Sequence, residues 1–385
     1  MAVIGDAAWR KRESVRKKKE WFIQSLLLLA VLITIGCFVF NISQNLQARN
    51  IHSGFGFLSE RAGFEIGESL IYFDSTMSFF RAFLVGFLNT VKVSFVSIIT
   101  ATILGVIIGL MRLSKHPILR FLGTAHVEFY RNIPLLVQLL LIYLLITELL
   151  PMSMEAIHFG KWAMLSKAGL NFSVPEMNGV AIGTSLIVSI IAFILSRSYF
   201  LQTCTGLVAT IFSGCVATAT GFLVWAGFGF IKGWSHPELA GFAIEGGAAV
   251  SPEFLALCLG LTFFTSASIA EIVRAGIVAV PQAQWSASYS LGLTTIETIS
   301  YVIFPQALRL AIPPLSSQYM NLTKNSSLAV VVGYPDLLSI GNSTINLNGQ
   351  ALEVIVIVMV VFMVLNILTS LFMNWINSKV TRGTR

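Results

Sequence analysis

The chain has 385 residues, 55% of them hydrophobic and 11% charged, and its mean hydropathy is +0.80. A soluble domain carries about 25% charged residues, so this composition excludes an ordinary soluble protein and predicts an integral membrane one. The net charge of +7 does not point to nucleic acid, because the bases gather at the chain ends and in short loops, as membrane topology dictates.

Residues 1–20 hold Arg10, Lys11, Arg12, Arg16, Lys17, Lys18 and Lys19 and read as a basic cytoplasmic N-terminus. The apolar run 21–42 is long enough to span a bilayer and too long for a signal-peptide core. No A-x-A site follows it, so it reads as an uncleaved anchor. Segment 43–80, with Glu60, Glu65, Glu68 and Asp74, reads as a periplasmic loop. The second span, 82–110, has room for an interfacial start near Asn89 and Lys92. Its Gly105 and Gly109 keep the G-x-x-x-G spacing, read here as close packing against a neighbouring helix rather than a dedicated dimer face. Arg112, Lys115, His116 and Arg120 then place a short loop in the cytoplasm.

The third span covers 126–144, with Arg131 at its inner edge and Pro134 near a helix start or kink. Gln138 is a lone polar group within it, either a helix–helix hydrogen bond or part of a pathway. Residues 81–150 thus form one unit. Residues 151–250 read as an inserted pair of spans, 179–195 and 207–230, turning near Arg197 between external loops that carry Lys161 and Lys167, then Lys232, His236, Glu238 and Glu245. The sixth span, 254–273, opens the last unit, 251–385. Glu271 and Arg274 are three apart at its inner end and fit a local ion pair. The four cysteines, Cys37, Cys204, Cys215 and Cys258, fall in apolar runs without metal-ligand spacing and read as small core residues.

A polar, proline-punctuated loop follows, at 281–305. Pro281 fits a first helical position, Gly292 the left-handed position past a helix end, and Thr294 with Glu297 a capping box. The expected result is helix, turn, helix, with Trp285 and Tyr289 on one face, suited to a partner protein or the lipid interface. The seventh crossing, 306–332, contains Pro313 and Pro314, then Ser316, Ser317, Gln318, Asn321, Thr323, Lys324, Asn325, Ser326 and Ser327. A lysine in the bilayer costs about 3 kcal/mol on insertion scales unless paired or wetted. This polar density predicts a helix facing a water-filled cavity, the alternative being a structural face that bonds neighbouring helices. A last span, 354–375, ends at Lys379, Arg382 and Arg385, which makes eight spans with both termini inside.

The loop resembles the cytoplasmic loop of ABC-importer permeases, E-A-A-x3-G-x9-I-x-L-P, in the subfamily that imports polar amino acids. The matching residues are Ser286, Ala287 and Ser288, then Gly292, Val302, Phe304 and Pro305. The flanks AEIVRAG at 270–276, FPQALRLAIPP at 304–314, NLTKNSSLAVVVGYPDL at 321–337 and the 126–144 stretch are similar to that subfamily too, and most like general L-amino-acid permeases. One departure is Ser286, where the family usually has glutamate.

The resemblance implies an all-α integral membrane protein of about eight transmembrane helices: a five-helix type I importer core plus three additions. It implies a permease subunit of an ATP-driven, binding-protein-dependent amino-acid importer of the bacterial inner membrane, working by alternating access. Its partners would be a homologous permease in a heterodimer, two ATPase subunits and a periplasmic amino-acid-binding protein. Gln284, Trp285, Ser286, Ala287, Ser288, Tyr289, Gly292, Thr294 and Thr295 would form the ATPase-docking element. The substrate pathway would use Gln138, Ser317, Asn321, Lys324, Asn325, Ser326 and Ser327. Lys324 with Ser326 or Ser327 would meet the carboxylate of an amino acid, and Asn321 and Asn325 its ammonium.

ATP-Mg would sit on the ATPase subunits, since this chain has no G-x-x-x-x-G-K-[ST] loop; no cofactor or metal is expected here. The five histidines are scattered, with no Ser/His/Asp or H-E-x-x-H pattern, so no enzyme is expected. An ion-coupled secondary transporter is the alternative, and it would require mid-membrane carboxylates and inverted repeats.

Overall fold

The computed structural model describes residues 3–48, 54–201 and 206–382. Cys204 and Arg385 lie outside them, as do the side chains of Arg10, Lys11, Arg12 and Arg382. The first element, α1 (Val3–Ala48), is one long helix. Its apolar window Arg16–Phe38 has no buried residue, and Arg16 and Lys17 pair with Glu20 and Glu13 one turn away.

The segment at 54–78 is an ordered cap, not a loose loop. Its apolar residues find a core: Phe57, Ala62 and Phe73 pack with Phe79, Val85, Leu337, Ile340 and Val354, and the Phe57 and Phe79 rings meet edge to face at 5.7 Å. Next, α2 (Phe79–Leu113) is a single helix with Ser78 as N-cap, without a separate interfacial start. Its deepest packing is on α7 (Pro252–Val278). There Gly105 faces Ile269, and a β-carbon added to it would lie 2.6 Å from Ile269 Cγ2. Small residues let these two backbones approach, as the spacing predicted.

The third span is broken. Helix α3 (Pro117–Asn132) meets α4 (Leu135–Leu144, continued by a π turn Leu145–Leu149) at 105°. Pro134 has no N–H to continue the helix, and Ile133 before it is extended, as the residue before a proline prefers.

Next come α5 (Asn178–Phe200) and α6 (Gly206–Lys232). The loops around them fold into short antiparallel strands. β1 (Ile157–Phe159), β2 (Ala163–Ser166), β3 (Gly169–Phe172) and β8 (Ala248–Val250) form one sheet; β4 (Val174–Pro175) pairs with β5 (Trp234–Ser235), and β6 (Glu238–Ala240) with β7 (Ala243–Glu245). Trp162, between β1 and β2, and Trp225 of α6 meet the Trp234 ring of β5 edge to face at 5.1 and 5.4 Å, which joins these loops to α6.

After α7 come α8 (Gln282–Ser290) and α9 (Thr295–Glu297), which runs through a π turn into α10 (Phe304–Asn325). The second helix of the loop is therefore the base of the seventh crossing. A short α11 (Ala329–Val332) follows, then α12 (Leu337–Asn348), a helix the hydropathy pattern did not mark, bent 49° from the crossing. The chain closes with α13 (Ala351–Arg382). Among the described residues six helices are long and apolar enough to cross a membrane, and eight spans result when each bent pair counts as one. This is the all-α, eight-span membrane protein that the sequence predicted. The cysteine reading needs correction: Cys258 is buried, but Cys37 and Cys215 are exposed on outer helix faces, where lipid rather than protein supplies the apolar surroundings.

Candidate functional site

The exposed helical turn at 281–295 is built by local chemistry. Pro281 is the N-cap of α8, one position earlier than expected. At the other end Gly292 adopts φ +78°. Its N–H donates to Tyr289 O (3.0 Å) and the N–H of Leu293 to Ser288 O (3.2 Å), the paired bonds that close a helix around a left-handed glycine. Thr294 then starts the next helix. Its N–H donates to Glu297 Oε2 (2.8 Å) and its Oγ1 accepts from Glu297 N (3.4 Å), the reciprocal capping box. The capping bonds draw the Glu297 carboxyl toward Thr294 and anchor the turn.

Trp285 and Tyr289 have separate jobs. Trp285 is half-buried and packs with Val280, Ile303 and Ala307, pinning α8 to the foot of α10; Tyr289 is exposed. Ser288 is buried and its hydroxyl donates to Gln284 O (2.7 Å). Gln284, Ser286, Ala287, Thr294 and Thr295 are exposed. So are Leu291 (81%) and Ile296 (78%), which flank the Gly292 turn. The sequence reading missed these two; large apolar residues beside a turn glycine, with no core to enter, were the available signal.

Along α10, Ser317, Asn321 and Lys324 are exposed at positions i, i+4 and i+7, one stripe that continues downward through Pro314, Pro313 and Leu310. Asn325 is half-buried, and the neighbouring hydroxyls are engaged: Ser326 donates to Thr323 O (2.8 Å) and Ser327 to Lys324 O (2.7 Å). Gln138 does not share the stripe. It is buried at the α3–α4 break, where Nε2 donates to Tyr130 O (2.9 Å) and Ile133 O (2.7 Å). These are carbonyls that the break would otherwise leave without partners. Gln138→Leu should therefore lower stability by about 1–3 kcal/mol, the penalty of a buried acceptor left unmet. A thermal melt in detergent checks this, and an unchanged melting temperature would remove the strut role.

At the foot of the stripe a cavity of about 350 Å³ is lined by Glu271, Ile272, Gly276, Leu310 and Pro314. Glu271 pairs with Arg274 (2.5 Å), as the spacing predicted, and also with Arg112 of α2. No spacing rule could reach Arg112, because it lies 159 residues away. Among the described residues no cluster of histidine, cysteine or carboxylate side chains could hold a metal ion.

Residues 101–382, from within α2 to the end of α13, match the family described as binding-protein-dependent transport system inner membrane component. The chain belongs to that family. The loop at 281–295 and the α10 stripe both lie inside the matched region, whereas α1 and the cap precede it. Over 369 residues this inner membrane component is 42% identical to the general L-amino acid transport system permease protein AapQ of Rhizobium johnstonii, covering 94% of this chain and 92% of that one. It is 40% identical to the putative amino-acid ABC transporter permease protein YhdX of Escherichia coli, covering 94% of each. The glutamate/glutamine/aspartate/asparagine transport system permease protein BztB of Rhodobacter capsulatus is 35% identical over 93% of this chain and 92% of its own. A crystal structure of an amino acid ABC transporter with histidines overlays on 78% of this chain and 95% of its own, at 21% identity and a TM-score of 0.47.

Proposed function

We propose that this chain is the permease subunit of an ATP-driven, binding-protein-dependent importer of L-amino acids. The observation that carries the reading is the exposed turn at 281–295. It is rigidly capped at both ends and fastened to α10 by Trp285, so a push on it reaches the crossing that bears Ser317, Asn321 and Lys324. The names of the relatives supply the substrate class. In this reading the turn docks an ATPase subunit through Ser286, Ala287, Tyr289, Leu291 and Ile296, and ATP-Mg stays on that partner. Two ATPases, a homologous but different permease and a periplasmic amino-acid-binding protein complete the assembly.

Both termini and the 281–295 turn face the cytoplasm of the bacterial inner membrane. The cap and the strand-bearing loops face the periplasm. The five spans of the core are α2, the α3–α4 pair, α7, α10 and α13, with α1, α5 and α6 added. Transport alternates between outward- and inward-facing states, and the α10 stripe lines the path at the interface with the partner permease.

Co-purification tests the reading. An ATPase should come down with the detergent-solubilised chain, and Gly292→Asp should release or uncouple it. A β-carbon at Gly292 meets no atom within 4 Å, so the substitution costs only the left-handed backbone penalty of about 1–2 kcal/mol. That is too little to unfold the bundle, and loss of ATPase would report on docking. Transport that survives with no ATPase present would instead favour an ion-driven carrier.

A further inference from the structure

The cap at 54–78 is tied to the bundle at its centre by Glu68, whose backbone carbonyl accepts from Asn89 Nδ2 of α2 (2.8 Å) and whose carboxylate reaches two helices. Glu68 Oε1 pairs with Lys92 of α2, and Oε2 accepts from Ser251 Oγ (2.5 Å). Ser251 is also the N-cap of α7, its oxygen accepting from Phe254 N (3.1 Å). One side chain on the cap thus holds both helices of the tightest-packed pair.

A structural anchor would explain the pair, but not its surroundings. The Lys92 ammonium lies 4.3 Å over the Phe254 ring, and that ring is 5.6 Å from the ring of Tyr334. Tyr334 is fully buried, and its hydroxyl has no hydrogen-bond partner. Buried polar groups are ordinarily satisfied, and each exception calls for a reason. On the other side of Glu68 a half-open cavity of about 360 Å³ is lined by Glu65, Glu68, Ser251, Glu253, Ser339 and Ser343. Glu68 therefore lines an accessible cavity with an acidic rim and pairs with a cation that lies over Phe254, the ring packed on Tyr334 with its unmet hydroxyl.

We propose that Glu68 is a built-in competitor: it occupies Lys92 and Ser251 while the cavity is empty, and the carboxylate of an entering amino acid displaces it and loosens the cap around it. The incoming carboxylate takes over the same two donors. Its ammonium meets the acidic rim of Glu65, Glu253 and the released Glu68, so the cavity reads the zwitterion and not the side chain. Release of the Glu68 side chain removes the polar tie to Lys92 of α2 and Ser251 of α7 while the aromatic core of the cap stays seated, and this local loosening signals occupancy to the two helices. The inference rests on the amino-acid import reading.

Hydrogen–deuterium exchange of residues 60–78 in the assembled complex tests it. The probe is an equimolar mixture of the common L-amino acids, with the same mixture of their carboxamides as control. The amino acids should raise exchange of the cap amides in the wild-type chain and the carboxamides should not. Glu68→Gln should show the raised level without any probe and respond no further. Two results would overturn the proposal: cap exchange in the wild type that ignores the amino acids, which leaves Glu68 as a strut only, or an equal response to the carboxamides. ATP-driven uptake by the wild-type complex is measured alongside, so a failure of the import reading is distinguishable from a failure of the latch.

Discussion

Gly105→Leu should leave little folded protein, while Gly36→Leu should leave the melting temperature unchanged. A β-carbon at Gly105 would sit 2.6 Å from Ile269 Cγ2, 2.7 Å from Ile269 Cβ and 2.9 Å from Ser266 O. These atoms belong to a β-branched side chain and the main chain and cannot swing aside. The α2–α7 pair would have to separate, at a cost of about 1–3 kcal/mol for overpacking and more where backbone must move. Separation would also break the polar links between the two helices, the Thr100 and Thr262 hydroxyls at 2.6 Å and the Arg112–Glu271 pair. Gly36 in α1 has no atom within 4 Å of the corresponding position, and a leucine there adds only apolar surface for lipid. Size-exclusion profiles and melts of the two variants in one detergent make the comparison. Equal yields and equal melting temperatures would show that the α2–α7 contact is looser than the structure has it.

Lys324→Met should cut amino-acid uptake by about 10-fold to 100-fold without loss of folding or ATPase co-purification. Lys324 is exposed on the α10 stripe beside Asn321 and Ser317. An ammonium at membrane depth costs about 3 kcal/mol, so methionine should not destabilise the helix. On the proposed pathway it would remove a charge-assisted hydrogen bond to a substrate carboxylate, worth about 1.5–3 kcal/mol, which sets the expected fold-change. Ser327→Ala supplies the contrast. Its hydroxyl donates to Lys324 O (2.7 Å), and uptake should stay near the wild-type level. Uptake in reconstituted vesicles by both variants decides, and full transport by Lys324→Met would move the pathway off this stripe.

Much of the loop is legible in the amino-acid sequence because its determinants lie close together along the chain. The Thr294–Glu297 box and the left-handed Gly292 are each set within a few residues. The one-turn spacing of Trp285 and Tyr289 suggests one common face, but Val280 and Ile303 claim Trp285 and leave Tyr289 outside, which the spacing alone does not show. The same holds along α10. A run of serines, asparagines and a lysine marks an unusual crossing, but only the helix phase separates the exposed Ser317, Asn321 and Lys324 from the hydroxyls of Ser326 and Ser327, which bond their own backbone.

By itself the sequence determined the membrane class, the eight spans, the family and the chemistry of the loop. Composition, apolar run length and capping are properties of neighbours along the chain, and lipid demands little more than length and hydropathy of a span. The tertiary structure decided the rest: the ordered cap, the 105° break held by Gln138, the short strands of the outer loops, Arg112 beside Glu271 and Lys92 beside Glu68. Glu271 meets an arginine three residues away through helix geometry alone, but meets Arg112 only because Gly105 and Gly109 let α2 lie against α7. Local bonds follow from spacing, whereas a contact across 159 residues exists only once the helices between them have packed.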